Sequence, residues 1–252
     1  MTRPHILALV PARGGSKSIP RKNLIPVGGK PLIAHSLEQA GASRFVTRTV
    51  VSTDDPEIAA VARTYGAEVP FMRPSEYAED LSPDVDVFRH ALTWLADHEG
   101  YRPELVVHLR PTGPVRRVEL IDQAIALMVE HPEADALRSV SMPVQTPYKM
   151  WRIDGEYLHP LLTLNGLAEP YNLPRQRLPE VWWQNGYVDI VRPRTIQELG
   201  LMCGHKILPF VMDEPMLEID YLENLPLVEE ALARLARGEP VGPNKSGRRF
   251  SV

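Results

Sequence analysis

Residues 7–23 read LALVPARGGSKSIPRKN, and this stretch decides the fold. An apolar run, Ile6 to Val10, ends abruptly in a turn holding Gly14, Gly15 and the cations Arg13, Lys17, Arg21 and Lys22. Glycine lets backbone approach a ligand closely, and clustered Arg and Lys neutralise a polyanion. A basic loop is ordinarily just solvated. This one follows a strand, where open α/β sheets bind their ligands, so a phosphate-rich ligand is expected. The loop lacks G-x-G-x-x-G and so is no dinucleotide fingerprint. It also fails the Walker A pattern, because Ser16 stands where glycine should precede the lysine and the spacing is wrong.

Outward from that loop, apolar runs alternate with helical periodicity, the signature of an α/β sheet with crossover helices. Strands are expected at 5–11, 48–53, 68–71, 105–109 and 136–141, and helices at 31–41, 56–65, 84–98 and 117–131. Asp55 should cap the second helix, with Pro56 in its first turn. After Ser141 the pattern changes. Segments 149–153 and 157–159 flank Asp154-Gly155, a hairpin turn, and a Pro-rich stretch follows to Trp183. Strands are then expected at 186–192, 206–211 and 216–220, a short helix at 194–199, and an amphipathic helix at 222–237. Thus 1–237 is expected to be one domain carrying an inserted arm at about 145–184, and 238–252 a mobile polar tail.

Composition narrows the classes. Apolar residues make up 44% and charged residues 24%, as in ordinary globular proteins. The net charge of −4 implies no polybasic surface for duplex nucleic acid, so no nucleic-acid partner is expected and the N-terminal cations read as a local site. A single cysteine, Cys203, excludes an internal disulfide and a cysteine metal cluster. No apolar run is long enough to span a membrane, and no secretory signal precedes Ile6, so a cytoplasmic location without membrane partners is expected.

Three further constellations carry chemistry. In a strand, Glu218 and Asp220 would share one face while Ile219 packs inward, and paired carboxylates without His or Cys suit Mg²⁺. The bland alternatives are a solvent-facing edge or a helix cap at Asp220. The loop from Arg110 to Arg117, RPTGPVRR, follows a buried strand; it can frame a base, a sugar or phosphates, or be a plain connection. Segment 174–186 mixes Trp182, Trp183, Arg and amides, which suits sugar recognition or a dimer interface equally. Residues 52–56, STDDP, are read as structural, a strand end and helix cap.

Taken together, PARGGSKSIPRKN with GGKPLIAHS, then VSTDDPEIA, FMRPSEYAEDLSPDVDVFRHAL, RPTGPVR, LPRQRLP, QNGYVDI and LEID resemble the acylneuraminate cytidylyltransferases in order and spacing. These enzymes make CMP-sialic acid and related CMP-nonulosonic acids. The resemblance runs from about Ile6 to Glu230. It implies a Rossmann-like nucleotidyltransferase fold, a mixed, mostly parallel sheet flanked by helices, with a small inserted dimerisation arm. It implies CTP as donor, a small acidic sugar as acceptor, Mg²⁺ as cofactor and a homodimer. It places Ala12, Arg13, Gly14, Gly15, Ser16, Lys17, Lys22, Asn23 and Arg73 around the nucleotide. Arg13, Lys17, Lys22 and Asp220 would be catalytic, and Asp220 with Glu218 would hold the metal. Arg110, Lys149, Arg175, Gln176 and Asn185 would shape the acceptor pocket.

The chain departs from the family pattern in three places. Arg110 and Gly113 replace the Gln and Ser of Gln-Pro-Thr-Ser-Pro-Leu-Arg. Glu218 replaces the first Asp of Asp-x-Asp. Gly186-Tyr187-Val188-Asp189-Ile190 replaces the more usual Gly-Ala-x-Tyr-x. The first departure also opens a related reaction, with another 2-keto sugar acid, a phosphonate or a sugar 1-phosphate as acceptor, or another NTP as donor. The second opens a nucleotide-binding regulatory protein with weakened chemistry.

Overall fold

A computed structural model describes residues 4–241. The strands are β1 (Ile6–Pro11), β2 (Pro26–Val27), β3 (Lys30–Pro31), β4 (Arg48–Ser52), β5 (Leu105–His108), β6 (Ala136–Ser141), β7 (Trp151–Asp154), β8 (Tyr157–Pro160), β9 (Trp183–Val191) and β10 (Ile207–Val211). The α-helices are α1 (Leu32–Ala42), α2 (Pro56–Thr64), α3 (Asp84–Glu99), α4 (Val118–Glu130), α5 (Pro193–Gln197) and α6 (Leu225–Ala236). One mixed sheet runs β10-β6-β9-β5-β1-β4. Only β9 is antiparallel to its neighbours there. From β1 the chain first builds outward to β4 and then returns to lay β5 on the other side. The β1–β5 boundary is therefore the topological switch point, the usual place for a ligand crevice.

The pleat sorts the strand residues onto two faces. Ile6, Ala8, Val10, Val51, Val107 and Leu137 pack with α1, α2 and α4. Leu7, Leu9, Val50, Val106 and Ala136 pack with α3 and α5. A third cluster lies under α6 and joins Ile19 of the cationic loop to Ile219 of the acidic segment, with Val115, Leu32 and Val228. Among the described residues, no helix is long and apolar enough to cross a membrane.

The structure corrects several expectations. Segment 68–71 pairs with β4 only at Glu68, because Pro70 has no N–H to extend the ladder. Segment 216–220 is not a strand; it lies against the loop after β5, with Ile219 N donating to Thr112 O at 2.8 Å. Strand β9 starts at Trp183, before Gly186, because a register shift opposite Arg138–Val140 lets both sides of the irregularity pair. The hairpin turn is Gly155-Glu156, with φ +62° at Gly155. The last helix opens with a 3-10 turn, Leu222–Asn224, before α6. Within 238–241, Glu239 bonds Arg237 and Val241 is buried, so the polar tail does not begin at Gly238. The remainder of that tail, 242–252, lies outside the described residues.

Candidate active site

A cleft of about 450 Å³ opens at the C-terminal ends of β1 and β5. It is lined by Arg13, Ser16, Lys17, Lys22, Asn23 and Arg73 on one side and by His108, Arg110 and Thr112 on the other. Three anchors hold the cationic loop over it. Gly14 N donates to Asp54 Oδ1 at 2.9 Å. Asn23 Nδ2 donates to the Arg13 carbonyl at 3.0 Å. Ala12 is buried and its N donates to Ser52 O at 3.0 Å. Gly14 lies so close to the N-terminus of α2 that a Cβ there would stand 2.9 Å from Asp55 Cβ. Gly15 faces open space.

The loop's cations divide the work. Arg21, in the left-handed region at φ 57°, turns away and pairs with Asp55 and Glu57 at the start of α2. Arg13 and Lys17 face the cleft and share Asp80, at 2.9 and 2.5 Å. Hydrogen bonding to Lys17 and the nearby Arg13 hold the Asp80 carboxyl below its usual range. Lys22 is buried, and its Nζ lies 3.2 Å from Asp220 Oδ1. Arg73 is gripped by Ser52 and the Tyr77 carbonyl. Burial lowers its pKa to about 10, so it stays cationic at neutral pH.

The acidic segment reaches the cleft through Lys22. Asp220 is exposed, whereas Glu218 is half-buried. Burial, then the Asp220 charge, raises the Glu218 pKa. The two carboxylates thus repel each other beside a phosphate-type loop, a setting that a divalent cation would relieve. The donor set therefore fits Mg²⁺, which usually completes its shell with phosphate oxygens and water.

The loop after β5 is built on Arg116. This fully buried guanidinium donates to the carbonyls of Tyr187 and Arg110 at 2.5 and 2.8 Å. Burial lowers its pKa to about 10, which leaves it charged at neutral pH. Gly113 makes room for Met216, whose Cε lies 2.0 Å from where a Cβ would fall. Arg110 enters the cleft and bonds Asp189 at 2.5 Å.

The other residues expected around the acceptor are not brought to this cleft. Arg175 and Gln176 line a separate hollow of about 210 Å³ on the arm. Arg175 is turned onto the carbonyls of Pro143 and Val144, which a 3-10 turn at Arg175–Arg177 puts within reach. Lys149 ends a 3-10 turn before β7 and is exposed. Asn185 is buried in β9, its Oδ1 accepting from Tyr187 N at 3.1 Å.

Conversely, the structure adds groups that the motifs did not single out: Asp80, Asp84, His108, Arg138 and Asp189. Asp80 and Asp84 lie within the segment FMRPSEYAEDLSPDVDVFRHAL, 71–92, and Asp189 within the departing QNGYVDI segment, whereas His108 and Arg138 carry no signal beyond their places in strands.

Sheet, switch-point cleft and cationic loop define an α/β protein whose cleft is lined by cations. Residues 7–160 match the family model described as cytidylyltransferase, and the chain belongs to that family. It is 38% identical to a pseudaminic acid cytidylyltransferase of Campylobacter jejuni over 125 residues, 50% of this chain and 53% of that protein. It is 29% identical to an N-acylneuraminate cytidylyltransferase of Escherichia coli over 219 residues, 86% of this chain and 50% of that protein. The chain thus spans about half the length of these relatives. Among solved structures it is similar to CMP:2-keto-3-deoxy-manno-octonic acid synthetase complexed with CTP. That match has a TM-score of 0.65 and 17% identity, covering 92% of this chain and 99% of the other. A 4-diphosphocytidyl-2C-methyl-D-erythritol synthase of Anaerococcus prevotii matches with a TM-score of 0.63 and 14% identity, covering 92% and 100%. At these identities the two structures establish the fold alone.

Proposed function

We propose that this chain transfers CMP from CTP to the anomeric hydroxyl of an acidic, nine-carbon, sialic-acid-like sugar and releases pyrophosphate. The observation that carries this is the gathering of Arg13, Lys17 and Lys22 in one switch-point cleft, with Lys22 3.2 Å from Asp220. The names of the curated relatives supply the donor and the acceptor class. The acceptor oxygen would attack the α-phosphorus, the bond from that phosphorus to the bridging oxygen would break, and the hydroxyl proton would pass to solvent. Arg13, Lys17 and Lys22 would offset the charge growing on pyrophosphate. Ser16 and the amides of Gly14 and Gly15 would bind phosphate oxygens, while Asn23 and Arg73 would orient the nucleoside. Glu218 and Asp220 would hold Mg²⁺, which when bound lowers the acceptor hydroxyl's pKa and neutralises phosphate charge.

Arg110 supports a second reading within the same chemistry, an acceptor other than a sialic-acid-like sugar. Pyrophosphate release measured over a panel of nucleotides and acceptors separates the two. Release with CTP and a nine-carbon sugar acid is expected. Release only with a sugar 1-phosphate, or only with another NTP, would overturn the proposal.

The arm would join two copies. It exposes Ile153, Tyr157 and Leu158 at 78%, 72% and 60%, with Trp151, Leu161 and Trp183 nearby in the chain. Such an apolar surface is unusual on a monomer, and a homodimer would cover it. In that assembly Lys149, Arg175 and Gln176 would complete a pocket from the partner's side. The working location would be the cytoplasm, where CTP is available.

A further inference from the structure

Two departures from the family pattern meet in space. Arg110 stands where the resemblance has Gln, and Asp189 stands where it usually has Tyr. Arg110 Nη1 donates to Asp189 Oδ2 at 2.5 Å. Arg138 Nη1 approaches the same oxygen at 2.5 Å. The register explains this convergence: Asp189 on β9 is the partner of His108 on β5 and of Arg138 on β6. Residues paired across strands share a face. A polar row of His108, Asp189 and Arg138 therefore crosses three strands beneath the cleft.

Burial and the surrounding guanidiniums keep His108 neutral, and Asp189 is shared by two cations, Arg138 within the row and Arg110 above it. Arg138 is spent inside the protein, on Asp189 and on Cys203 Sγ at 2.8 Å. Arg110 and His108 both line the cleft, and Arg110 brings a cation there, with its side chain one-quarter exposed. Among the described residues its hydrogen bonding is confined to Nη1, and Asp84 at the rim lies 3.8 Å from Nη2. Glu218 sits on the same side and belongs to the proposed metal pair. Gly186, at φ +71°, lies beside both Arg110 and Glu218; a Cβ there would make only an ordinary contact, 3.4 Å from Nη1, so the glycine answers to its backbone conformation. Below, both arginines meet Asp189 at Oδ2, and among the described residues its buried Oδ1 has no hydrogen-bond partner.

We propose that Arg110, aimed by Asp189 and Arg138, receives an oxyanion of the acceptor, and that this ion pair sets acceptor selectivity. The assignment rests on the CMP transfer proposed above. Arg110 is the residue that touches substrate; Asp189 is a positioning residue. A planar guanidinium hydrogen-bonded through Nη1, with Asp84 in looser ion-pair range of Nη2, suits a carboxylate or a phosphate.

The test compares Arg110→Gln, Arg110→Lys, Asp189→Asn and the double variant Arg110→Gln/Asp189→Tyr in pyrophosphate release. Acceptor probes are N-acetylneuraminic acid, its methyl ester and its 9-phosphate, and CTP binding is followed by calorimetry. Arg110→Gln should raise KM for a charged acceptor by roughly 10- to 100-fold with kcat less affected and CTP affinity kept. Arg110→Lys should recover part of the loss. Asp189→Asn should shift acceptor KM in the same direction. The double variant should fold and narrow the gap between charged and ester acceptors. A loss on the free acid but not on the ester assigns the carboxylate; a loss confined to the phosphorylated sugar assigns the phosphate. If Arg110→Gln has the same KM as wild type for every acceptor, Arg110 has no such role, although CMP transfer would stand. If wild type turns over no sugar acid while binding CTP, the transfer itself is wrong and this assignment falls with it.

Discussion

Lys22 is the residue at which the two ends of the chain meet. It is buried, while its partner Asp220 is exposed, so truncating Lys22 leaves the carboxylate in water rather than stranded in the core. Lys22→Ala should therefore keep the fold, seen as an unchanged melting transition, and lose turnover by roughly 100-fold or more. Near-normal turnover would remove Lys22 from the phosphate site. Glu218 calls for a pH experiment. Burial and Asp220 raise its pKa above the ordinary 4.5. It must be ionised to hold a cation, so the acidic limb of kcat/KM should lie above that value, and Glu218→Gln should abolish or move the limb. The sign for stability follows from linkage. An acid with a raised folded-state pKa favours the fold while protonated and loses that contribution as pH rises through the raised value. Glu218→Gln should therefore melt higher than wild type near pH 7 without metal. A lower melting point there would contradict the assignment.

At the scale of elements, the phosphate-type loop depends on the N-terminus of α2. Asp55 accepts from Glu57 N and Ile58 N as the N-cap, and it also pairs with Arg21. Asp54 takes Gly14 N. One turn of chain therefore starts a helix and moors the loop. Asp55→Ala should cost about 1 kcal/mol in denaturant unfolding through the lost cap. It should also weaken CTP binding, since Arg21 loses one of its two acidic partners and keeps only Glu57. Gly14→Ala should act more on function than on stability. Its Cβ would meet Asp55 Cβ at 2.9 Å, and the loop, not the helix, is the part able to shift. A displaced loop misplaces Arg13 and Lys17, and kcat/KM should fall on the order of 100-fold. Unchanged kinetics in Gly14→Ala would show that the loop's position does not matter.

For the whole molecule, the site is held together by a small apolar cluster away from the sheet. Ile19 and Ile219 are each 2% exposed or less and share that cluster with Val228 and Ala231 of α6. Helix α6 therefore clamps a segment near residue 20 against one near residue 220. The arm is the other feature at this scale. Ile153→Asp with Leu158→Asp should convert a dimer to a monomer in sedimentation analysis, because two charges cannot be buried cheaply in an apolar interface. Wild type sedimenting as a monomer at assay concentrations would refute the dimer.

Much of the sheet could be read from local pattern. Strands such as Ala136–Ser141 and helices such as Pro56–Thr64 carry strong periodicity and a cap, and both emerge within a residue of expectation. The cationic loop was legible for the same reason: glycines, cations and strand end are contiguous. Segment 216–220 was misread because alternation of apolar and polar residues reports burial, and Ile219 is buried without a neighbouring strand to pair with. The residues of the LALVPARGGSKSIPRKN stretch thus determined by themselves a sheet protein with a cationic, glycine-bearing turn at the end of its first strand. Only the tertiary structure decided that Lys22 meets Asp220, that Arg21 serves α2 instead of the cleft, and that Arg110 leans on Asp189. Those outcomes depend on which side chains face one another across strands and clusters far apart in the chain. That is set by register and by the packing of α6, neither of which any local spacing encodes.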